Sequence, residues 1–85
     1  MTSYMKDKQF TADMVYTLSW QDVARIHCAS GHYRVEITWA LDRYRVSVYR
    51  RIQEPEKLVR RHDAWYARTA VSTANRMLRE YANLD

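Results

Sequence analysis

The sequence predicts an α+β fold, in which an antiparallel β-meander of three to four strands carries a C-terminal α-helix on one face. Apolar and polar residues alternate through much of residues 14–52, and the apolar period becomes helical from Ala64 onward. Pro55 separates the two patterns and is expected to end the last strand, because proline cannot donate to a sheet ladder. The 85 residues are expected to form one domain, 1–85.

The two central strands are predicted by alternation and supported by their mutual register. Every second residue is apolar in 33–39 and again in 44–48. A short turn at Leu41-Asp42 would set Trp39 opposite Tyr44, Ile37 opposite Val46 and Val35 opposite Val48. Since a slip of one residue would reverse every face, this agreement favours the pairing.

Two earlier segments are predicted to extend the meander. A turn at Ser30-Gly31 would place Ala24, Ile26 and Cys28 opposite Ile37, Val35 and Tyr33, and would set Arg25 opposite Glu36. Residues 14–20 also alternate and are expected to form the first strand. A helix over 20–30 competes with the second strand, because Ser19-x-x-Asp22 resembles a capping box and Gly31 would suit a helix end. The strand is preferred, since the apolar residues of 20–30 form no clean stripe.

The C-terminal helix is predicted over 64–82, with Asp63 as its N-cap. Its apolar stripe comprises Ala67, Ala70, Val71, Ala74, Met77, Leu78 and Tyr81. Residues 53–62 are expected to be a connection, because Leu58 falls on the opposite side of the helical wheel from Ala67. Residues 1–12 show no clear pattern and are expected to be mobile.

The sequence offers little that predicts catalysis. His27, Cys28 and His32 form its closest approach to a metal site, but neighbouring strand residues point to opposite faces, so His27 and Cys28 would not share an ion. Cys28 falls among apolar residues, where a thiol is inert. With one glycine, the chain has no phosphate-binding glycine loop. We therefore expect no enzyme, with no catalytic residues, no metal and no cofactor.

Positive charge is concentrated in one segment. Residues 43–61 hold seven basic residues against two acidic ones, a net charge of +5, whereas the whole chain carries +4. Arginine beside exposed aromatic residues is typical of protein interfaces. The sequence thus favours a protein-binding module or inhibitor that docks on an acidic surface of a larger protein or complex. The predicted contact residues are Arg43, Arg45, Arg50, Arg51, Arg60, Arg61, Trp65 and Tyr66.

The basic residues of the chain also suggest two other functions. The sheet face opposite the helix would carry Arg25, His27, Arg34, Arg45, Tyr49 and Arg51, a suitable composition for single-stranded nucleic acid. These arginines would equally serve cross-strand ion pairs such as Arg25–Glu36, and a net charge of +4 is modest for a nucleic-acid protein. A self-assembling structural protein or homodimer is the third hypothesis, with strand 44–52 as the sheet edge.

The expected location is the cytoplasm. The sequence lacks a run of about 18 apolar residues and an evident signal peptide, so no membrane association is expected. With Cys28 alone, no intramolecular disulfide can form. The size class suggests a phage or mobile-element accessory protein acting on a host defence complex.

Overall fold

The computed structural model describes residues 8–52 and 55–84. They form an antiparallel sheet that one helix precedes and another helix follows in the sequence. The four strands lie in sequence order: β1 (Val23–His27), β2 (Tyr33–Trp39), β3 (Tyr44–Arg50) and β4 (Lys57–Ala64). A short helix α1 (Ala12–Tyr16) precedes the sheet, and α2 (Ala67–Glu80) follows it and packs on β2 and β3. The predicted α+β meander with a C-terminal helix is confirmed.

The predicted registers of the first three strands are confirmed. Trp39 pairs with Tyr44, Ile37 with Val46, Val35 with Val48, Ala24 with Ile37, and Arg25 with Glu36. Gly31 adopts a φ of 82°, which a residue without a Cβ reaches at little cost, so the chain turns there. The competing helix over 20–30 is wrong, because β1 occupies residues 23–27.

Two predicted elements are wrong. Residues 14–20 were expected to form the first strand, but 12–16 are helical and bury Val15 rather than Tyr16. The predicted connection over 53–62 contains most of strand β4, which begins at Lys57. Strand 44–52 is therefore interior rather than an edge, since β3 lies between β2 and β4. Residues 53 and 54 lie outside the described residues.

The C-terminal helix begins later than predicted. Tyr66 is the N-cap of α2, and the helix runs from Ala67 to Glu80 within the predicted 64–82. Asp63, the predicted N-cap, belongs to β4 and pairs with Arg45 across the strands, where its carboxylate meets the guanidinium. The helix therefore starts only after β4 has completed its pairing with β3.

The core lies between α2 and the face of the sheet that the alternation predicted. Small residues of the helix allow it to approach the strands closely. The buried residues are Ala67, Ala70, Ala74, Met77 and Leu78 from α2 and Ala24, Ile26, Val35, Ile37, Val46 and Val48 from the sheet. The face opposite α2, here called the open face, is left without a covering helix among the described residues.

The segment before α1 is held on α2. Phe10 is buried, and the Asn75 side chain bonds both of its backbone groups: Phe10 N donates to Oδ1 at 2.8 Å, and Nδ2 donates to Phe10 O at 3.0 Å. The expected mobility of residues 1–12 is thus wrong for Phe10. Residues 1–7 lie outside the described residues.

Candidate protein interface

The open face gathers the arginines that the sequence placed there. Arg25 and His27 reach it from β1, Arg34 from β2, Arg45 and Tyr49 from β3, and Arg51 follows β3. Arg25, His27, Arg34 and Arg51 line, together with Glu56, a shallow depression of about 300 Å³. Four of the six residues predicted for nucleic-acid binding therefore lie around one depression.

Acidic side chains engage all four of these arginines. Glu36, although on the open face, is only 7% exposed, and its Oε2 accepts hydrogen bonds from Arg25 Nε at 2.8 Å and Arg34 Nε at 2.7 Å. Glu56 forms ion pairs with both Arg34 and Arg51. The Arg34 guanidinium also lies 4.4 Å from the centre of the Tyr49 ring. This half of the open face is an internal ion-pair network as much as a free basic surface.

The charges of three of these arginines also act on His27. Desolvation lowers the pKa of His27, and the positive charges of Arg51, Arg25, Arg34 and Lys8 lower it further. The imidazole is therefore predominantly neutral at pH 7. It is also exposed, on the face opposite to buried Cys28.

The opposite end of the sheet carries exposed apolar and aromatic side chains. Leu41 at the β2–β3 turn is 74% exposed, and Trp65 and Tyr66, which join β4 to α2, are 63% and 73% exposed. The Arg43 guanidinium lies 4.6 Å from the centre of the Trp65 ring. Its Nη1 also lies 3.4 Å from Asp63 Oδ2, so Arg43 is held between β4 and Trp65. Hydrogen bonds and charge from Asp42 raise the pKa of Arg43, which stays charged.

The turn at this end is strained. Ala40 N donates to Arg43 O at 2.7 Å, which closes a two-residue loop of Leu41 and Asp42. Leu41 has a φ of 71°, a left-handed conformation that a side chain with a Cβ disfavours by about 1–2 kcal/mol. Such strain is often kept at interaction sites. A large apolar residue stands exposed where glycine or asparagine would be more stable.

The long edge between this end and Pro55 is formed by β4. Seven of its eight residues are exposed, and only Ala64 is buried. Arg60 lies on the helix side, where Tyr81 first and Glu80 second raise its pKa and Arg60 Nη1 donates to Glu80 Oε1 at 3.0 Å. Arg61 lies opposite Ser47 on the open face. We call Arg43, Arg45, β4, Trp65 and Tyr66 the β4 edge surface.

The structure brings together six of the eight predicted partner-binding residues. Arg43, Arg45, Arg60, Arg61, Trp65 and Tyr66 all belong to the β4 edge surface. Arg50 and Arg51 lie at the other end of β3, where Arg51 Nη1 donates to Gly31 O at 3.0 Å. Sequence reasoning missed Leu41 as an exposed site residue. It also missed the edge of β4 itself, because residues 57–62 carry no alternation that would mark a strand.

Cys28 is the single cysteine of the chain, and its side chain is buried. Burial raises the pKa of the Cys28 thiol to about 11, so the reactive thiolate is scarce near neutral pH. Residues 8–52 and 55–84 contain no group of three His, Cys, Asp or Glu side chains placed to hold a metal ion. Within the same ranges, no helix has both the length and the apolar character needed to cross a bilayer.

Comparison with models of protein families, with curated proteins and with solved structures finds no match in any of the three.

Proposed function

We propose that this chain is a non-enzymatic protein-binding module that docks on a partner through the β4 edge surface. One observation carries the proposal: exposed Trp65 and Tyr66 directly continue an exposed, arginine-bearing edge strand, and Arg43 is stacked on Trp65. Tryptophan, tyrosine and arginine are the residues enriched at interface hot spots, where their large surfaces lose water on binding. These features support a docking role for the β4 edge surface.

The charge on this surface favours an acidic partner. Lys57, Arg60 and Arg61 stand exposed along β4, against Asp63 in the same strand. Asp63 is itself engaged by Arg43 and Arg45. An acidic partner would meet Lys57 and Arg61 first and would compete with Glu80 for Arg60, which steers its approach.

The aromatic residues provide the sharpest test. We expect Trp65→Ala and Tyr66→Ala each to weaken partner binding about tenfold or more, because hot-spot truncations typically cost about 2 kcal/mol or more. The wild-type protein would capture partners from a lysate of its source cells, and isothermal titration calorimetry would measure the affinity for the purified partner. Tyr16→Ala is the matched control, since Tyr16 is 67% exposed but lies on α1.

Charge reversal tests the electrostatic part. Arg60→Glu together with Arg61→Glu is expected to abolish the complex, whereas Arg79→Glu on the exposed side of α2 should leave it intact. Far-ultraviolet circular dichroism checks that the fold is preserved. Full affinity in the aromatic variants and in the charge-reversal variant would contradict the proposal.

Nucleic-acid binding by the open face is the second candidate. The observation in its favour is that Arg25, His27, Arg34 and Arg51 line one shallow depression on this face. The ion pairs with Glu36 and Glu56 count against it, since they already neutralise much of this charge. Filter binding with single-stranded and duplex oligonucleotides at low salt distinguishes the two functions, because phosphate contacts weaken steeply as salt rises. Absence of binding there removes this candidate.

A further inference from the structure

The outer edge of β4 is a free strand edge within the described part of the chain. The sheet order is β1-β2-β3-β4, so β4 pairs with β3 on one side and with no strand of residues 8–52 or 55–84 on the other. A register shift between Val48 and Tyr49 bulges β4 near Val59. The regular part of the edge therefore extends from Arg60 to Ala64, about 17 Å at 3.4 Å per residue.

Hydrogen-bond parity shows which backbone groups of β4 point outward. Ala40 N donates to Arg43 O and Arg51 N donates to His32 O, both at 2.7 Å. Since direction alternates along a strand, the odd-numbered residues of β3 bond to β2, and Val46 and Val48 bond to β4. The residues of β4 opposite these two, His62 and Arg60, thus use their backbone groups on β3.

The intervening residues of β4 have the opposite orientation. The N–H and C=O groups of Arg61 and Asp63 point away from β3, toward the outside of the sheet. An incoming strand could bond to both residues without breaking any β3–β4 hydrogen bond. Strand addition of this kind supplies affinity through the main chain and specificity through alternate side chains.

We propose that the outer edge of β4 binds an extended acidic segment of a partner protein as a fifth strand. This inference rests on the proposed function and specifies the partner chemistry at the same surface. Arg61 lies on the open face and Arg60 on the helix side, so both faces of the added strand would lie beside an arginine. Opposite charges on neighbouring strands stabilise a sheet, and like charges destabilise it.

A second copy of this chain is the rival occupant of this edge. An antiparallel pair of β4 strands with its two-fold axis at His62, the centre of the regular edge, would set Arg61 of each copy against Asp63 of the other. Asp63 is already engaged by Arg43 and Arg45, so it offers Arg61 less charge than a free carboxylate of an acidic segment does. Trp65 and Tyr66, exposed just beyond Ala64, also offer contact to an apolar side chain at one end of the acidic segment. A dimer in sedimentation of the protein without peptide would assign the edge to the second copy and overturn the proposal.

Amide hydrogen exchange monitored by NMR on the intact protein tests the proposal. The probe is a short synthetic peptide in which valine alternates with glutamate and leucine stands at one end, supplied in large excess. We expect it to slow exchange of the Arg61 and Asp63 amides about tenfold, because these N–H groups become hydrogen-bonded. The same peptide with lysine in place of glutamate should leave both exchange rates unchanged. Unchanged rates with the glutamate peptide would overturn the proposal.

Two variants separate main-chain pairing from simple charge attraction. Arg61→Pro removes an outward N–H that β3 does not use, and it should eliminate the protection, whereas Arg61→Ala should only weaken it. Arg61→Glu keeps the N–H and reverses the charge, so it should favour the lysine peptide over the glutamate peptide. Protection that persists undiminished in Arg61→Glu would overturn the acidic specificity, even if Arg61→Pro failed to fold.

The amide-exchange test of strand addition and the partner-capture test of the proposed function can fail independently. Loss of partner capture in Trp65→Ala, with no amide protection by the glutamate peptide, would refute strand addition and leave the docking surface supported. Protection by the peptide, with partner capture unaffected by Trp65→Ala and Tyr66→Ala, would support the acidic strand site and remove the aromatic residues from the interface.

Discussion

Glu36 shows at the scale of single residues how this sheet tolerates arginine on its uncovered side. Its carboxylate is nearly inaccessible and serves Arg25 and Arg34 together. Because Arg25 sits directly opposite Glu36 and Arg34 two residues before it in β2, one acid stabilises two cations across two strands. Arg25 and Arg34 therefore have their ion-pair partner within the sheet itself.

Replacement of Glu36 by glutamine should therefore be costly. We expect Glu36→Gln to lower the free energy of unfolding by about 1–3 kcal/mol, because two guanidinium groups lose a shared charged acceptor that is buried. Urea denaturation measures the change. Glu80→Gln is the matched control, since Glu80 also contacts two arginines, Arg60 and Arg76, but in an exposed position. Its expected effect is below about 1 kcal/mol, and equal losses in both variants would contradict the argument.

Cys28 yields a prediction about pH and reactivity. Its folded-state pKa of about 11 lies above the ordinary 9.0, so the native state keeps the proton while the unfolded state loses it. This contribution to stability is complete below pH 9.0 and is lost as the pH rises from there to about 11. Alkylation with iodoacetamide at pH 8 should be slow in the native protein and fast in denaturing guanidinium chloride. Equal rates in the two states would contradict the burial of the thiol.

At the scale of elements, the sequence predicted those strands that are buried on one face and exposed on the other. β1, β2 and β3 each bury one face in the core, so apolar residues alternate with polar ones along them, and this alternation predicted their registers. In contrast, β4 is exposed on both faces, and its bulge at Val59 breaks the parity. Main-chain hydrogen bonds to β3 hold this strand in place. Such bonds impose no pattern on the side chains, so the sequence did not predict β4.

The short helix α1 misled the sequence analysis for a different reason. Met14, Tyr16 and Leu18 alternate as in a strand, but the five-residue helix buries Val15 between them. So short a helix presents barely more than one turn, and one turn cannot establish a helical period. The arginines and aromatic residues of the candidate site were predicted from the sequence. Their placement along a sheet edge was not, because it depends on β4, whose residues do not alternate.

The β2–β3 turn yields a prediction about strain. Leu41→Gly should raise the free energy of unfolding by about 0.5–1 kcal/mol, because glycine adopts a φ of 71° without a Cβ penalty but loses more chain entropy. Leu41→Ala retains the unfavourable conformation and is the control. Thermal denaturation compares the two. A glycine variant no more stable than the alanine variant would show that the turn carries no strain.

At the scale of the whole molecule, one side chain joins the two ends of the chain. Asn75 in the middle of α2 holds the backbone of Phe10, a residue 65 positions earlier in the sequence. Phe10 in turn completes the core beside α1 and α2. The segment before the sheet is thereby part of the fold rather than an appendage.

Loss of this clamp should destabilise the protein as a unit. We expect Asn75→Ala to lower the free energy of unfolding by about 1–2 kcal/mol, because two hydrogen bonds to a partly buried backbone are lost. Hydrogen exchange at Val15 should accelerate in parallel, since α1 packs on α2. Asn83→Ala, at an exposed position beyond α2, should change stability by less than about 0.5 kcal/mol. A comparable loss in both variants would argue against the clamp.

The position of the three tryptophans has a consequence for optical measurements. Trp39 ends β2, Trp65 follows β4, and Trp20 precedes β1, so all three belong to one rim of the sheet and none to the fully buried core. With Trp20 and Trp65 exposed and Trp39 half-buried against Tyr44, the intrinsic emission of the native protein should be largely that of indole in water and should change only modestly on unfolding. A ligand seated over Trp65 would shift it to shorter wavelength. Tryptophan emission in this protein therefore reports on occupancy of the rim rather than on melting of the core.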